Sequence, residues 1–144
     1  MAFRGTFDYT LDAKNRLTVP ARFRAALSEG VVLAVGVENC VAMWTPRAYD
    51  AHTTGALKGS NPLHARARDT SRYFSANSHE TELDAAGRVM VPNFLIDHAG
   101  LHREVVVIGA GDCLEVWDRA SWAAYNEQLT GRINEITESL EHPS

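Results

Sequence analysis

The sequence predicts an α+β fold, mainly β, in which two tandem copies of one small unit build a single pseudo-two-fold β-barrel with helices outside it. Three observations predict this. Residues 11–20, Leu-Asp-Ala-Lys-Asn-Arg-Leu-Thr-Val-Pro, match residues 83–92, Leu-Asp-Ala-Ala-Gly-Arg-Val-Met-Val-Pro, at six of ten positions and a constant offset of 72. After one inserted residue the likeness resumes at an offset of 73: Cys40-Val-Ala-Met-Trp44 with Cys113-Leu-Glu-Val-Trp117, and Tyr49 with Trp122. Each copy also alternates β-branched runs with turn residues over about 45 residues. A unit that small buries little core alone, so the two copies are expected to pair their sheets and cover each other's edges.

The elements follow in chain order. Asp12 opens a tight turn whose fourth residue is Asn15, where copy 2 has Gly87. Asn and Gly are the residues that most readily take a positive φ. The turn leads into a strand, Arg16 to Val19 or Arg88 to Val91. Pro20 and Pro92 then stand where helices begin, since proline is tolerated at the first helical position. These helices are expected from Pro20 to about Leu27 and from Pro92 to about His98, ending near Gly30 and Gly100. Val31 to Val35 and Glu104 to Ile108 are β-branched runs, each followed by a turn and the Cys-to-Trp strand, which makes a hairpin in each copy. Thr45-Pro46 and Asp118-Arg119 read as helix starts, the second helix running to about Leu140. Between the copies a connecting helix is expected from about Pro62 to Phe74. The chain thus divides into repeat 1 at 5–49, a helical connector at 50–76, repeat 2 at 77–122, and a C-terminal helix with an acidic tail at 123–144.

Composition narrows the function. No run approaches the ~18 apolar residues of a membrane helix, and the first residues lack the apolar stretch of a signal peptide, so a cytoplasmic protein with no membrane partner is expected. The two cysteines, Cys40 and Cys113, form no C-x-x-C pair and read as buried apolar residues. The net charge of −4 does not point to nucleic acid, but its distribution does more. Residues 1–72 carry a net +4 and residues 73–144 a net −8. Such a split marks either a nucleic-acid face on one half or a solvated surface.

Several chemical constellations fall away. Gly109-Ala-Gly111 follows a β-branched run, but the third glycine of a dinucleotide fingerprint is missing and a strand, not a helix, follows. The six histidines, His52, His64, His79, His98, His102 and His142, show no metal-ligand spacing; Gly100 interrupts any helix between His98 and His102. Ser, His and Asp occur in no nucleophile-elbow context. No enzyme, cofactor, metal or small-molecule substrate is expected.

What remains is the duplicated Asp-x-x-x-Arg turn. Its bland reading is a capped turn with a surface salt bridge. Against that stand the junction of turn and strand, which projects the arginine from a sheet edge, and the basic neighbours Lys14, Arg22 and Arg24, with Arg4 close in sequence. A two-stranded ribbon fits the major groove, and arginine is the commonest reader of guanine O6 and N7. An aspartate beside the arginine fixes its rotamer before binding. In copy 2, Ala86, Phe94 and Ile96 replace the basic residues and only Asp84 and Arg88 remain. Copy 1 is therefore expected to carry most of the contact with double-stranded DNA.

Phe3-Arg-Gly5, Leu11 to Arg24, the second motif Leu83 to Pro92, and the hairpin Val107-Ile-Gly-Ala110 with Leu114-Glu-Val-Trp117 closely resemble the MraZ family, over nearly the whole chain. The resemblance implies two SpoVT/AbrB-type units joined as a swapped-hairpin barrel. It implies a transcriptional regulator that binds direct repeats upstream of the division and cell-wall gene cluster, its own promoter included. It further implies ring-shaped homo-oligomers, nucleoid association, and DNA-reading roles for Asp12, Arg16, Asp84 and Arg88. The chain departs from the family in having Asn15 where the first motif usually has glycine.

Overall fold

The computed structural model describes residues 2–141; His142 and the end of the acidic tail lie outside the described residues. Eight strands form: β1 (Thr6–Thr10), β2 (Arg16–Thr18), β3 (Val31–Val35), β4 (Val41–Trp44), β5 (Ser78–Thr81), β6 (Arg88–Met90), β7 (Glu104–Gly109) and β8 (Leu114–Asp118). Four helices accompany them: α1 (Pro46–Ala56), α2 (Ala65–Ala76), α3 (Asn93–Ala99) and α4 (Arg119–Glu141). The fold is α+β and mainly sheet.

The topology records the duplication. One antiparallel sheet has six strands in the order β1-β7-β8-β4-β3-β5, and β2 pairs only with β6. Exchanging the repeats (β1 for β5, β2 for β6, β3 for β7, β4 for β8) reads the six-stranded order backwards, so the arrangement is pseudo-two-fold. The register agrees. Leu17 faces Val89 at the centre of the β2–β6 ribbon, and Ala42 faces Glu115 at the centre of the β4–β8 pair. Both are pairs of equivalent positions. Repeat 1 also supplies β1 to β7 of repeat 2, while repeat 2 supplies β5 to β3 of repeat 1. Neither repeat has a complete sheet without the other.

The central strands are buried on both faces, and their side chains alternate between an inner cluster and outer ones with the two-residue period. The inner faces of β2, β3, β4, β6, β7 and β8 meet in one cluster that includes Leu17, Leu33, Met43, Val89, Val107 and Leu114. The outer faces are covered by helices. Trp44 packs on Tyr49 of α1, with ring centroids 5.9 Å apart. Trp117 packs on Trp122 of α4 at 5.2 Å. Thr45 Oγ1 accepts from Ala48 N and Asp118 Oδ2 from Ser121 N, which caps α1 and starts α4 as the sequence suggests.

Three expectations need correction. The ladders form two antiparallel sheets, not one closed barrel; β2 and β6 are only three residues long and are fully used in pairing with each other. The helix expected from Pro20 to Leu27 is a 3-10 turn over Ala21–Phe23 followed by hydrogen-bonded turns. That tighter path brings Phe23 against Phe3 and Phe7, at centroid distances of 5.4 and 5.6 Å. The connecting helix expected from about Pro62 to Phe74 begins later, at Ala65, and runs to Ala76, and the strand β5 that follows it is one the sequence did not declare.

Candidate nucleic-acid interface

The two Asp-x-x-x-Arg loops fold alike, and their side chains explain why. In the first, Asp12 Oδ1 accepts from Lys14 N and Arg16 N, both at 2.9 Å, and Oδ2 accepts from Arg16 Nε at 2.6 Å. In the second, Asp84 Oδ1 accepts from Ala86 N at 2.9 Å and Arg88 N at 2.8 Å, and Oδ2 from Arg88 Nε at 2.9 Å. Each aspartate thus closes its turn with one oxygen and orients its arginine with the other. The fourth residue turns through the left-handed region: Asn15 has φ 56° and Gly87 has φ 76°.

These bonds stabilise the ionised carboxylates. The backbone hydrogen bond from Arg16 is the largest influence on Asp12; with the Arg16 side chain and Lys14 N it outweighs partial desolvation and holds the carboxyl at about 2. Asp84 is lowered for the same reason, led by the Arg88 backbone N–H. Both carboxylates are charged at neutral pH, and both arginines are held by Nε. Among the described residues, the Nη groups of Arg16 and Arg88 make no intramolecular hydrogen bond. Each guanidinium is therefore fixed at its root and free at its tip.

The ribbon puts the two tips on one face. Arg16 faces Met90, Thr18 faces Arg88, and the buried pair Leu17 and Val89 lies between them. By the alternation of strands, Arg16, Thr18, Arg88 and Met90 all project to the opposite, outer side. Arg16 and Arg88 are diagonal neighbours, about 7–8 Å apart at the backbone. Thr18 and Met90, the latter 53% exposed, belong to this face and were not singled out from sequence; stepping two residues from each arginine along its strand finds them.

The other basic candidates separate. Lys14 is exposed at the tip of loop 1. Arg24 reaches across to loop 2, its Nε donating to Val19 O at 3.0 Å and its guanidinium lying over Gly87. Arg22 lies over the Phe7 ring, 5.4 Å from the centroid. Arg4 is exposed but sits at the far end of β1, where Phe3 bridges to Gly111 in the β7–β8 turn. The five-residue strand, about 16 Å long, separates it from the Asp12 loop. The structure therefore assembles Asp12, Lys14, Arg16, Arg24, Asp84 and Arg88 and leaves Arg4 outside the group.

Elsewhere the chemistry is quiet. Burial pushes the Cys113 thiol up to about 12 and the Cys40 thiol higher still, with Glu115 adding to both. No group of three potential metal ligands occurs among the described residues, and none of their helices is long and apolar enough to cross a membrane.

Comparison with known proteins agrees with the motif reading. The profile of the family described as "MraZ protein, putative antitoxin-like" matches residues 2–70 and 74–140. Among curated proteins, the transcriptional regulator MraZ of Micrococcus luteus is 40% identical over 139 residues, 96% of each chain. That of Nocardioides sp. is 38% identical over 145 residues, covering 100% of this chain and 99% of its own. That of Heliobacterium modesticaldum is 36% identical over 138 residues, 96% of each chain.

Proposed function

The chain belongs to the MraZ family, and on that premise we propose that it is a transcriptional regulator that reads DNA sequence with the β2–β6 ribbon. The observation that carries the reading is the outward pair Arg16 and Arg88, each with Nε held by its own aspartate and Nη1 and Nη2 at liberty. A guanidinium in that state meets guanine O6 and N7 end-on with two hydrogen bonds. A two-stranded antiparallel ribbon is narrow enough to enter the major groove. Asp12 and Asp84 orient the arginines, Lys14 supplies a phosphate contact at loop 1, and Arg22, over the Phe7 ring, supplies another from repeat 1. Arg4 is a peripheral contact reached only by a duplex extending past the ribbon.

Repeat 1 carries more of the binding than repeat 2, because Lys14 and Arg22 have Ala86 and Phe94 as counterparts. The targets are direct repeats upstream of the division and cell-wall gene cluster, including the protein's own promoter. The protein works in the cytoplasm on the nucleoid. It acts as a ring-shaped homo-oligomer, whose repeated ribbons meet repeated sites and gain by avidity. An apolar stripe along α4, with Ile133 48% and Leu140 77% exposed, supports association between copies.

The test is a gel-shift titration with the region upstream of the protein's own gene over a salt series, beside light scattering for the oligomer. Log K is expected to fall linearly with log salt, at about −0.9 per phosphate neutralised. Binding that ignores sequence, or a salt-independent interaction, rejects the reading.

A further inference from the structure

We infer that Arg24 acts as a positioning residue that sets the second loop; its effect on DNA rests on the function proposed above, its structural role does not. The two corners of the ribbon are each gripped by the opposite repeat. Val91 N donates to Asn15 O and Val19 N donates to Gly87 O, both at 2.9 Å. Beyond these symmetric bonds the grips differ. The Asn15 corner is held by its own amide, which donates to Asn93 Oδ1 at 3.3 Å. The Gly87 corner has no side chain and is covered instead by the Arg24 guanidinium.

Arg24 is anchored there through Nε to Val19 O, the carbonyl of the residue whose N–H holds Gly87 O. One residue of repeat 1 thus clamps both sides of the junction between β2 and loop 2. The repeat equivalent of Arg24 is Ile96, which packs against the core and has no donor to offer. Glycine is favoured at 87 on two counts. Its φ of 76° suits glycine, and a Cβ would run into the Arg24 guanidinium. Arg88 follows directly, so the aim of the repeat 2 arginine is set by a side chain from repeat 1.

The experiment compares Arg24→Ala and Arg24→Lys. Amide hydrogen exchange is read at Val19, with Val107 in the central sheet as the control for global stability. DNA affinity is read over a salt series on the upstream fragment. Both variants should speed exchange at Val19 while Val107 stays at the wild-type rate. Both should weaken DNA binding on the order of tenfold, the scale of one hydrogen bond to a charged group, with the salt slope unchanged. A phosphate contact behaves differently. Lysine would then restore binding, and the alanine variant would lower the slope by about 0.9; either result overturns the inference, as does Val19 exchange at the wild-type rate. If the wild-type chain fails to bind the fragment, the proposed function falls and the exchange comparison alone decides the role of Arg24.

Gly87→Ala gives a second route, through a double-mutant cycle. It should eject the guanidinium, so that adding Arg24→Ala changes Val19 exchange less than it does in the wild-type background. Additive effects would overturn the inference.

Discussion

Replacing Arg16 by alanine removes a side chain whose two ends do different things. Its Nε is bound to Asp12 Oδ2 at 2.6 Å, so the rotamer is set before DNA arrives and little side-chain entropy is lost on binding. Its Nη groups make no hydrogen bond within the chain and, in the proposed function, meet the base. A bidentate arginine–guanine contact is worth about 1–3 kcal/mol, which corresponds to a loss of about 5- to 150-fold in affinity for one ribbon. In the proposed ring the loss compounds over each engaged ribbon. Arg16→Lys should recover little of it, because an ammonium is a point donor and cannot form the fork. Arg88→Ala should lose less than Arg16→Ala, since loop 1 carries Lys14 where loop 2 has Ala86. Fluorescence anisotropy with the upstream fragment, against one whose guanines are scrambled, measures all three variants. Arg16→Ala binding as wild type would refute the site. Arg88→Ala losing as much or more would refute the ranking of the repeats.

Further outcomes follow from the same geometry. Leu17 is fully buried on the pseudo-two-fold axis opposite Val89, so Leu17→Ala should cost about 2–5 kcal/mol and lower Tm by several degrees for each kcal/mol; a calorimetric change under 1 kcal/mol would show that the ribbon is not packed as described. Asp12 has a carboxyl held at about 2, below its ordinary 3.8. Its contribution to the loop is therefore fully present above about pH 4 and lost as pH falls through 2. NMR titration should show the Arg16 amide shifting only in that acid range; a midpoint near 4 would contradict the hydrogen bonds described. Cys40 and Cys113 are buried, with thiols raised by desolvation, so both should resist alkylation at pH 8 until the chain unfolds, which mass spectrometry reads directly.

Much of this was legible in the residues, and the parts that were not have physical reasons. The repeated Leu-Asp-Ala and Val-Pro frames located both loops, and Asn15 beside Gly87 announced the left-handed corner. The β-branched runs at Val31 and Glu104 declared their strands through composition. β5, with the sequence Ser-His-Glu-Thr, has no apolar residue and is a strand only because β3 offers it an edge. The separation of Arg4 from the loops depends on the direction of β1, which nearness in sequence does not encode. Arg24 showed the same limit. Its type and position fitted a basic cluster, but its partner, Gly87, lies in the other repeat and becomes a neighbour only when the two ribbon strands pair.

The claim that the β2–β6 ribbon reads base edges in the major groove is tested most directly by dimethyl sulfate footprinting, which reports guanine N7 in that groove. The account predicts protected guanines in each direct repeat, with Arg16→Ala and Arg88→Ala each unmasking a different guanine of the site. Guanine N7 positions left fully reactive in the complex, or a pattern unchanged by both substitutions, would contradict it.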